Sequence, residues 1–247
     1  MKAFAIACLA MLAAGCASAP AKPELDRIVD QHVAARGGRA AIEAVKAVRI
    51  ALTIQEADSR VDADYLASRD GRMRIDIVQN GGTVYSEGID AQGAWQWVEN
   101  NAVSGPSSAS GAAALQRGLD APMILRGLHE LPARGHVLTL LPSERIDRID
   151  YHVIRVRFVD GYVTRYYVNP QTWLIDRRRD TRPLHPAVDA TPTQIEERYF
   201  DWREFGGVRY PVRTTQVDLA SGKQLQLTLT RSLTVNPPLA PNAFDRP

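Results

Sequence analysis

Hydropathy along this chain alternates with a period of two residues over several separate stretches, and that pattern restricts the fold more than any other feature. Val48, Ile50, Leu52 and Ile54 alternate with Arg49, Ala51, Thr53 and Gln55. Met73, Ile75 and Ile77 do the same, as do His152, Ile154, Val156 and Phe158, and Leu225, Leu227 and Leu229. Successive side chains of a strand point to opposite faces, so each stretch reads as a strand with one dry and one wet face. Weaker strand signals cover 61–68, 83–89, 93–99, 162–168, 172–178, 194–202 and 207–217. Turn formers punctuate them: Asp58-Ser59, Asp70-Gly71, Asn80-Gly81-Gly82, Asp160-Gly161, Asn169-Pro170, Gly206-Gly207 and Ser221-Gly222. Short strands joined by tight turns make an antiparallel meander, and a sheet of about ten or eleven strands has to curl. The expectation is a mainly β chain, a barrel or half-barrel.

Two stretches break the period. Leu25, Ile28, Val29, His32 and Val33 recur at helical spacing, Gly37-Gly38 interrupts, and Ala41, Ile42 and Val45 resume. This predicts a broken helix, or two short ones, over 24–46. Asn100 to Gly111 reads as a flexible Ser/Gly/Ala loop, followed by an amphipathic helical insert over 112–131 that Pro122 must kink or split. Neither a repeat nor a composition shift marks a second domain, so 24–247 is expected to be one domain.

The chain opens with Met1-Lys2, an apolar run from Ala3 to Leu12, and Ala13-Ala14-Gly15-Cys16. A basic start, a short apolar core and small residues before a cut form a secretory signal, too short to span a bilayer. The cysteine after the small residues resembles the lipobox of bacterial lipoproteins, which makes 1–15 the signal, Cys16 the lipidated first residue and 16–23 a tether. Cleavage after Ala17-Ser18-Ala19 is the alternative, and Pro20 fits it poorly. Cleavage before Cys16 leaves 247 − 15 = 232 residues and no cysteine pair, because Cys8 is lost with the signal. Stability must then come from the core, which a 45% apolar content can supply. Thirty basic residues face 28 acidic ones, too even a balance for a nucleic-acid partner. The run Arg177-Arg178-Arg179, flanked by Asp176 and Asp180, is expected to be a solvated strand edge.

Four segments carry a family likeness: AARGGRAAIEAVKAVRI, YVNPQTWLIDRRRDTR, YFDWREFGGVRYPVRTT and VNPPLAPNAFDRP. Together they resemble the LolA/LolB-type lipoprotein-carrier superfamily, in its broad branch of outer-membrane lipoprotein-sorting-like sequences. The resemblance implies an antiparallel half-open barrel whose helices plug the concave face over an apolar cavity for acyl chains. A lipobox matches the acceptor arm of the superfamily. Ala17, rather than Asp, after the cysteine implies an outer-membrane lipoprotein facing the periplasm. The sequence departs from that acceptor in lacking a protruding apolar loop: its early turns are short and polar. Stress sensing and sterol or lipid carriage occur on the same fold, so fold alone does not settle function.

Enzyme signatures are missing. His129-Glu130 and His136 have the wrong spacing for a zinc-hydrolase helix, and neither a nucleophile elbow nor a glycine-rich phosphate loop is present. His32, His129, His136, His152 and His185 are scattered and read as structural. The pairs Asp62/Asp64 and Glu196/Arg198 read as solvated strand faces. Nothing in the pattern calls for a cofactor. The expected ligand is an acyl chain or another amphiphile, lined by Leu52, Ile54, Ile75, Ile77, Ile154, Val156, Leu227 and Leu229. Trp95 and Trp97, which share a strand face, serve either as an aromatic wall or as core. Leu119, Met123, Ile124 and Leu128 form either a lid or a permanent plug. Two roles follow: a carrier or acceptor of lipids or lipoproteins, or a sensor or scaffold that binds a periplasmic protein partner.

The N-terminal reading has a direct test. Cys16→Ala should release the protein from membranes or leave the signal uncut, as read by fractionation and intact mass. Normal processing with normal membrane attachment would sink it.

Overall fold

A computed structural model of the protein describes residues 23–100, 103–185, 189 and 191–247. The signal, Cys16 and the tether up to residue 22 lie outside the described residues. The chain begins with helices α1 (Glu24–Ala35) and α2 (Arg39–Ala44), separated at the expected glycines. Gly37 has a φ of +121°, and a Cβ there would lie 2.0 Å from the Gly207 carbonyl oxygen, so only glycine fits.

Among the described residues thirteen strands follow in one sheet. The first group is β1 (Ala47–Gln55), β2 (Arg60–Ser68), β3 (Met73–Gln79), β4 (Gly82–Asp90), β5 (Gly93–Val98) and the two-residue β6 (Gly105–Pro106). The second is β7 (Val137–Ile146), β8 (Ile149–Arg157), β9 (Val163–Val168), β10 (Ile175–Arg182), β11 (Thr193–Phe205), β12 (Val208–Asp218) and β13 (Gln224–Val235). The order is β6-β5-β4-β3-β2-β1-β13-β12-β11-β10-β9-β8-β7, antiparallel throughout. The architecture is the expected one, a mainly β, unclosed antiparallel meander. It has two more strands than the sequence reading, β6 and β7. In β7, Pro142 and the doublets Val137-Leu138 and Leu140-Leu141 hide the alternation. A register shift between Leu141 and Glu144 absorbs the proline, which an edge strand tolerates.

The insert is also corrected. Helix α3 runs from Ala109 to Asp120, capped by the Ser108 hydroxyl accepting from Gly111 N at 3.1 Å. It ends before Pro122, which forces Ala121 out of helical geometry. The chain continues without regular helix to two single turns at Leu128–Glu130 and Pro132–Arg134. Ile28, Val29 and Val33 of α1, Ile42 of α2, and Leu125, Leu128 and Leu131 of the insert pack in one core with Val48, Ile154, Val156, Tyr166 and Val168 of the sheet.

The arginine run corrects a second expectation. Arg177–Arg179 lie in β10, between β9 and β11, and not on an edge. Their register sets Arg178 opposite Glu197 and Arg179 opposite Glu196. Glu196, also expected to be solvated, is 1% exposed and accepts from Arg177 at 2.8 Å, Arg179 at 2.6 Å and Arg198 at 2.5 Å. Charge that reads as surface is neutralised across the strands instead.

His32 joins α1 to the β9–β10 turn. Its Nδ1 is 2.9 Å from the Trp173 carbonyl oxygen, which fixes the Nδ1–H tautomer, and the side chain is fully buried. Burial, reinforced by the Arg36 charge, lowers its pKa to about 3. An unfolded histidine near 6.5 binds protons more readily, so His32 supports folding above that value and withdraws the support as pH falls toward the folded value. Urea unfolding should show the wild type losing stability over this window. The non-titrating His32→Asn variant should lose less, by on the order of 4 kcal/mol. Parallel profiles would refute the assignment.

Candidate functional site

The register sorts the strand residues by face. Ile54 pairs with Val61, Ile75 with Glu87, Ile77 with Tyr85, and Glu87 with Gln96, so these side chains share the concave face. Helix α3 crosses above them. Between helix and sheet lies a cavity of about 400 Å³, within the range of small-ligand sites. Its apolar wall consists of Ile54, Val61, Ile75 and Ile77 from the sheet and Ala114 and Leu115 from α3. Polar groups line it as well: Tyr85 and Glu87 from β4, and Glu56, His185, Gln216 and Gln226 across the sheet from them. A second cavity of about 220 Å³ continues on the other flank of α3, and Ala114 and Leu184 line both.

The floor under β10–β13 is polar and internally paired. Arg178 meets Glu197 at 2.7 Å and Asp180 at 3.2 Å. Arg182 pairs with Asp180 and donates to Gln216 at 3.0 Å. Gln216 donates to Gln226 at 3.0 Å, and Gln226 donates to Glu56 at 2.9 Å. His185 Nε2 stands 2.9 Å from the same Glu56. Burial pushes the Asp180 pKa up, but Arg178 and Arg182 outweigh it and hold the group below the usual carboxylate range. Glu87 is different. Burial dominates and raises its pKa, with the Tyr85 hydroxyl, donating at 2.8 Å, pulling the other way.

The sequence-derived site residues fall into three groups. Ile54, Ile75 and Ile77 line the cavity, and Leu52 is half-buried beside the main core. Ile154, Val156, Leu119, Met123 and Leu128 are buried in that core, with Ile124 half-buried against it. Trp95, Trp97, Leu227 and Leu229 face the other way. Trp95 pairs with Gly88 and Trp97 with Ser86, one residue out of phase with the Glu87–Gln96 pair. Trp95 is fully buried on the convex side: Arg74 stacks on it, and a Cβ on Gly88 would lie 2.8 Å from the indole. The C-terminal tail covers that region, with Arg74 donating to the Asp245 carbonyl at 2.8 Å and Arg246 pairing with Asp90 at 2.6 Å. Leu227 and Leu229 are turned outward by a bulge. Ala51 pairs with Ser232 but Leu52 with Thr230, so one extra residue, Arg231, flips the rest of β13.

Glu56, Tyr85, Glu87, Gln96 and His185 were not foreseen as lining residues. Ile75 and Ile77 set the phase, and the Asn80–Gly82 hairpin could have extended it to Tyr85 and Glu87. Of the histidines, His185 lines the cavity, while His32 and His136 are buried. Among the described residues no cluster of histidine, cysteine or carboxylate side chains could hold a metal ion.

The insert is fastened at its far end. Arg36, fully buried, donates to the carbonyls of Pro122 at 2.8 Å, Arg126 at 2.9 Å and Met123 at 3.0 Å. Burial lowers its pKa to about 10, so it remains a cation at neutral pH. Asp120, at the end of α3, accepts from Arg134 at 2.8 Å, with Arg126 and His136 beside it. The N-terminal end of α3 is held by backbone pairing alone: β6 pairs with β5 and Ser107 N donates to the Ala94 carbonyl at 3.1 Å, with no buried side-chain clamp among the described contacts.

The fold is similar to that of several solved structures, among them one of a LolA superfamily protein. A LolA superfamily protein from Nitrosomonas europaea superposes with a TM-score of 0.59 at 14% identity, covering 89% of this chain and 96% of that one. A DUF1329 family protein from Desulfovibrio piger gives 0.58 at 12% identity, covering 91% and 98%. A domain named for outer-membrane lipoprotein sorting, from Vibrio parahaemolyticus, gives 0.55 at 12% identity, covering 89% and 95%. No family model matches the sequence, and no curated protein matches it. Among the described residues no helix is long and apolar enough to cross a membrane.

Arg36→Met would keep an apolar stem of similar length and strip three buried carbonyls of their donor. Each costs about 1–3 kcal/mol, so urea unfolding should shift by at least about 3 kcal/mol. Amide exchange across 121–127 should accelerate beyond the global change. Unchanged exchange there would show that the clamp is not what holds the insert.

Proposed function

We propose that this protein is a lipid-anchored envelope protein that holds an acyl chain or another amphiphile beneath α3, as a carrier or acceptor in lipid or lipoprotein traffic. One observation carries the reading: a cavity of about 400 Å³ has an apolar wall on the sheet and, above it, a helix clamped by buried side chains at one end and held at the other only by the two-residue strand β6. Burying hydrocarbon is worth about 0.8 kcal/mol per CH₂, so a medium-length tail could offset the cost of lifting the N-terminal half of α3 together with the short edge strand β6. The segment 121–131 is the permanent plug in this reading, and 109–115 the moving cover. The N-terminal lipid on Cys16 would keep the open side near the outer membrane, from the periplasmic face. This is a binding role and asks no covalent chemistry of the site.

The test is titration of a neutral apolar fluorophore such as N-phenyl-1-naphthylamine. Wild type should bind saturably. Ile75→Asp places a charge on the cavity wall and should weaken binding by at least about tenfold. Leu227→Asp changes the convex face and should leave binding intact. No saturable binding by folded wild type, or equal loss in both variants, would favour the self-filled scaffold instead.

A further inference from the structure

Glu87 and Glu56, the two carboxylates that line the cavity, lack the arginine partner that other sheltered carboxylates of this molecule have. Arginine pairs with Glu196 on the convex side, Glu197 and Asp180 on the floor, Glu130 and Asp120 around the insert, and Asp76 and Asp90 under the tail. Twenty-six arginines are available, yet among the described residues no arginine or lysine pairs with Glu87. Its carboxylate takes one hydrogen bond, from the Tyr85 hydroxyl at 2.8 Å, and lines the cavity with Ile75 and Ile77 beneath it. Glu56 lines the same cavity, with His185 and Gln226 against it. No lysine or arginine lines that cavity among the described residues. The second cavity, on the other flank of α3, is lined by Arg117, Arg178 and Arg182, and each is taken up by a carboxylate, Asp160, Asp180 or Glu197.

From this geometry we infer that the cavity takes an amphiphile whose head is neutral or cationic and donates hydrogen bonds, a hydroxyl or an amine, and that it disfavours an anionic head. The inference rests on the binding role proposed above and specifies its ligand class. An O–H or N–H head beside Glu87 meets a carboxylate that still has acceptor capacity, while its tail lies on Ile54, Ile75 and Ile77. A carboxylate or phosphate head would bring like charge to two acidic side chains, with no lysine or arginine among the described lining residues to offset it and with His185 already against Glu56. The raised pKa of Glu87 agrees with an acid that burial, not a partner, controls.

The experiment keeps the tail constant and changes the head. The full chain, held in an amphipol, is loaded with the neutral naphthylamine probe and titrated with dodecanol, dodecylamine or dodecanoate at about pH 8, where the fatty acid is ionised. Dodecanol and dodecylamine should displace the probe, and dodecanoate should need at least about tenfold more. Glu87→Gln should narrow that gap by at least about threefold, with Glu56→Gln as the second variant should Glu87→Gln fail to fold. Exposed Glu204→Gln should leave the gap unchanged. Dodecanoate binding as well as the alcohol and amine would overturn the head-group inference and leave the cavity reading standing. A probe that never binds folded wild type would remove both.

Discussion

The pairing of the first strand with the last organises the molecule. Because β1 and β13 sit side by side, both ends of the sheet's chain path lie at its centre, and the free edges are β6 and β7. Those two strands are consecutive in sequence, so the chain between them has to cross from one rim of the half-barrel to the other. Helix α3 and the turns after it are that crossing. The cover over the concave face is therefore a consequence of topology, and its position follows from where the sheet stays open.

The concave surface is then divided three ways. The β7–β9 side is filled by α1, α2 and the clamped end of the insert, in the same core as Val48 and Ile50. The outer ends of β1–β4 leave a cavity, mostly apolar on the sheet side, under the N-terminal half of α3. Between them, β10–β13 bear arginine–carboxylate pairs and a glutamine relay that ends on Glu56. An interior with a filled part, an apolar part and a polar part can orient an amphiphile, which a uniformly greasy barrel cannot.

Much of this was legible in the sequence. Alternation at Val48–Ile54 and Met73–Ile77 gave both the strands and the inward face, and Gly37-Gly38 and Pro122 marked real breaks. What escaped the reading was set by register. One extra residue at Arg231 separates Leu233, which is buried in the core, from Leu227 and Leu229, which are not. Trp95 could be read as ligand wall or as core because its alternation is visible and its phase relative to Ile75 is not. Arg177–Arg179 looked exposed because their partners Glu196 and Glu197 arrive from another strand. Pro142 concealed β7 because a proline reads as a break unless the strand is known to be an edge.

The β1–β13 seam also bears on how the chain reaches this state. Val48 meets Val235 across nearly the whole described chain, so the contact closes a loop whose ordering entropy is due before the contact returns anything. The hairpins on either side are local and can form early. Their union is the non-local event, and since none of the described residues is a cysteine, no disulfide within them holds the two halves together while it happens. Folding of this molecule is thus expected to be gated by the meeting of two preformed meanders, each exposing an unpaired strand until the seam closes.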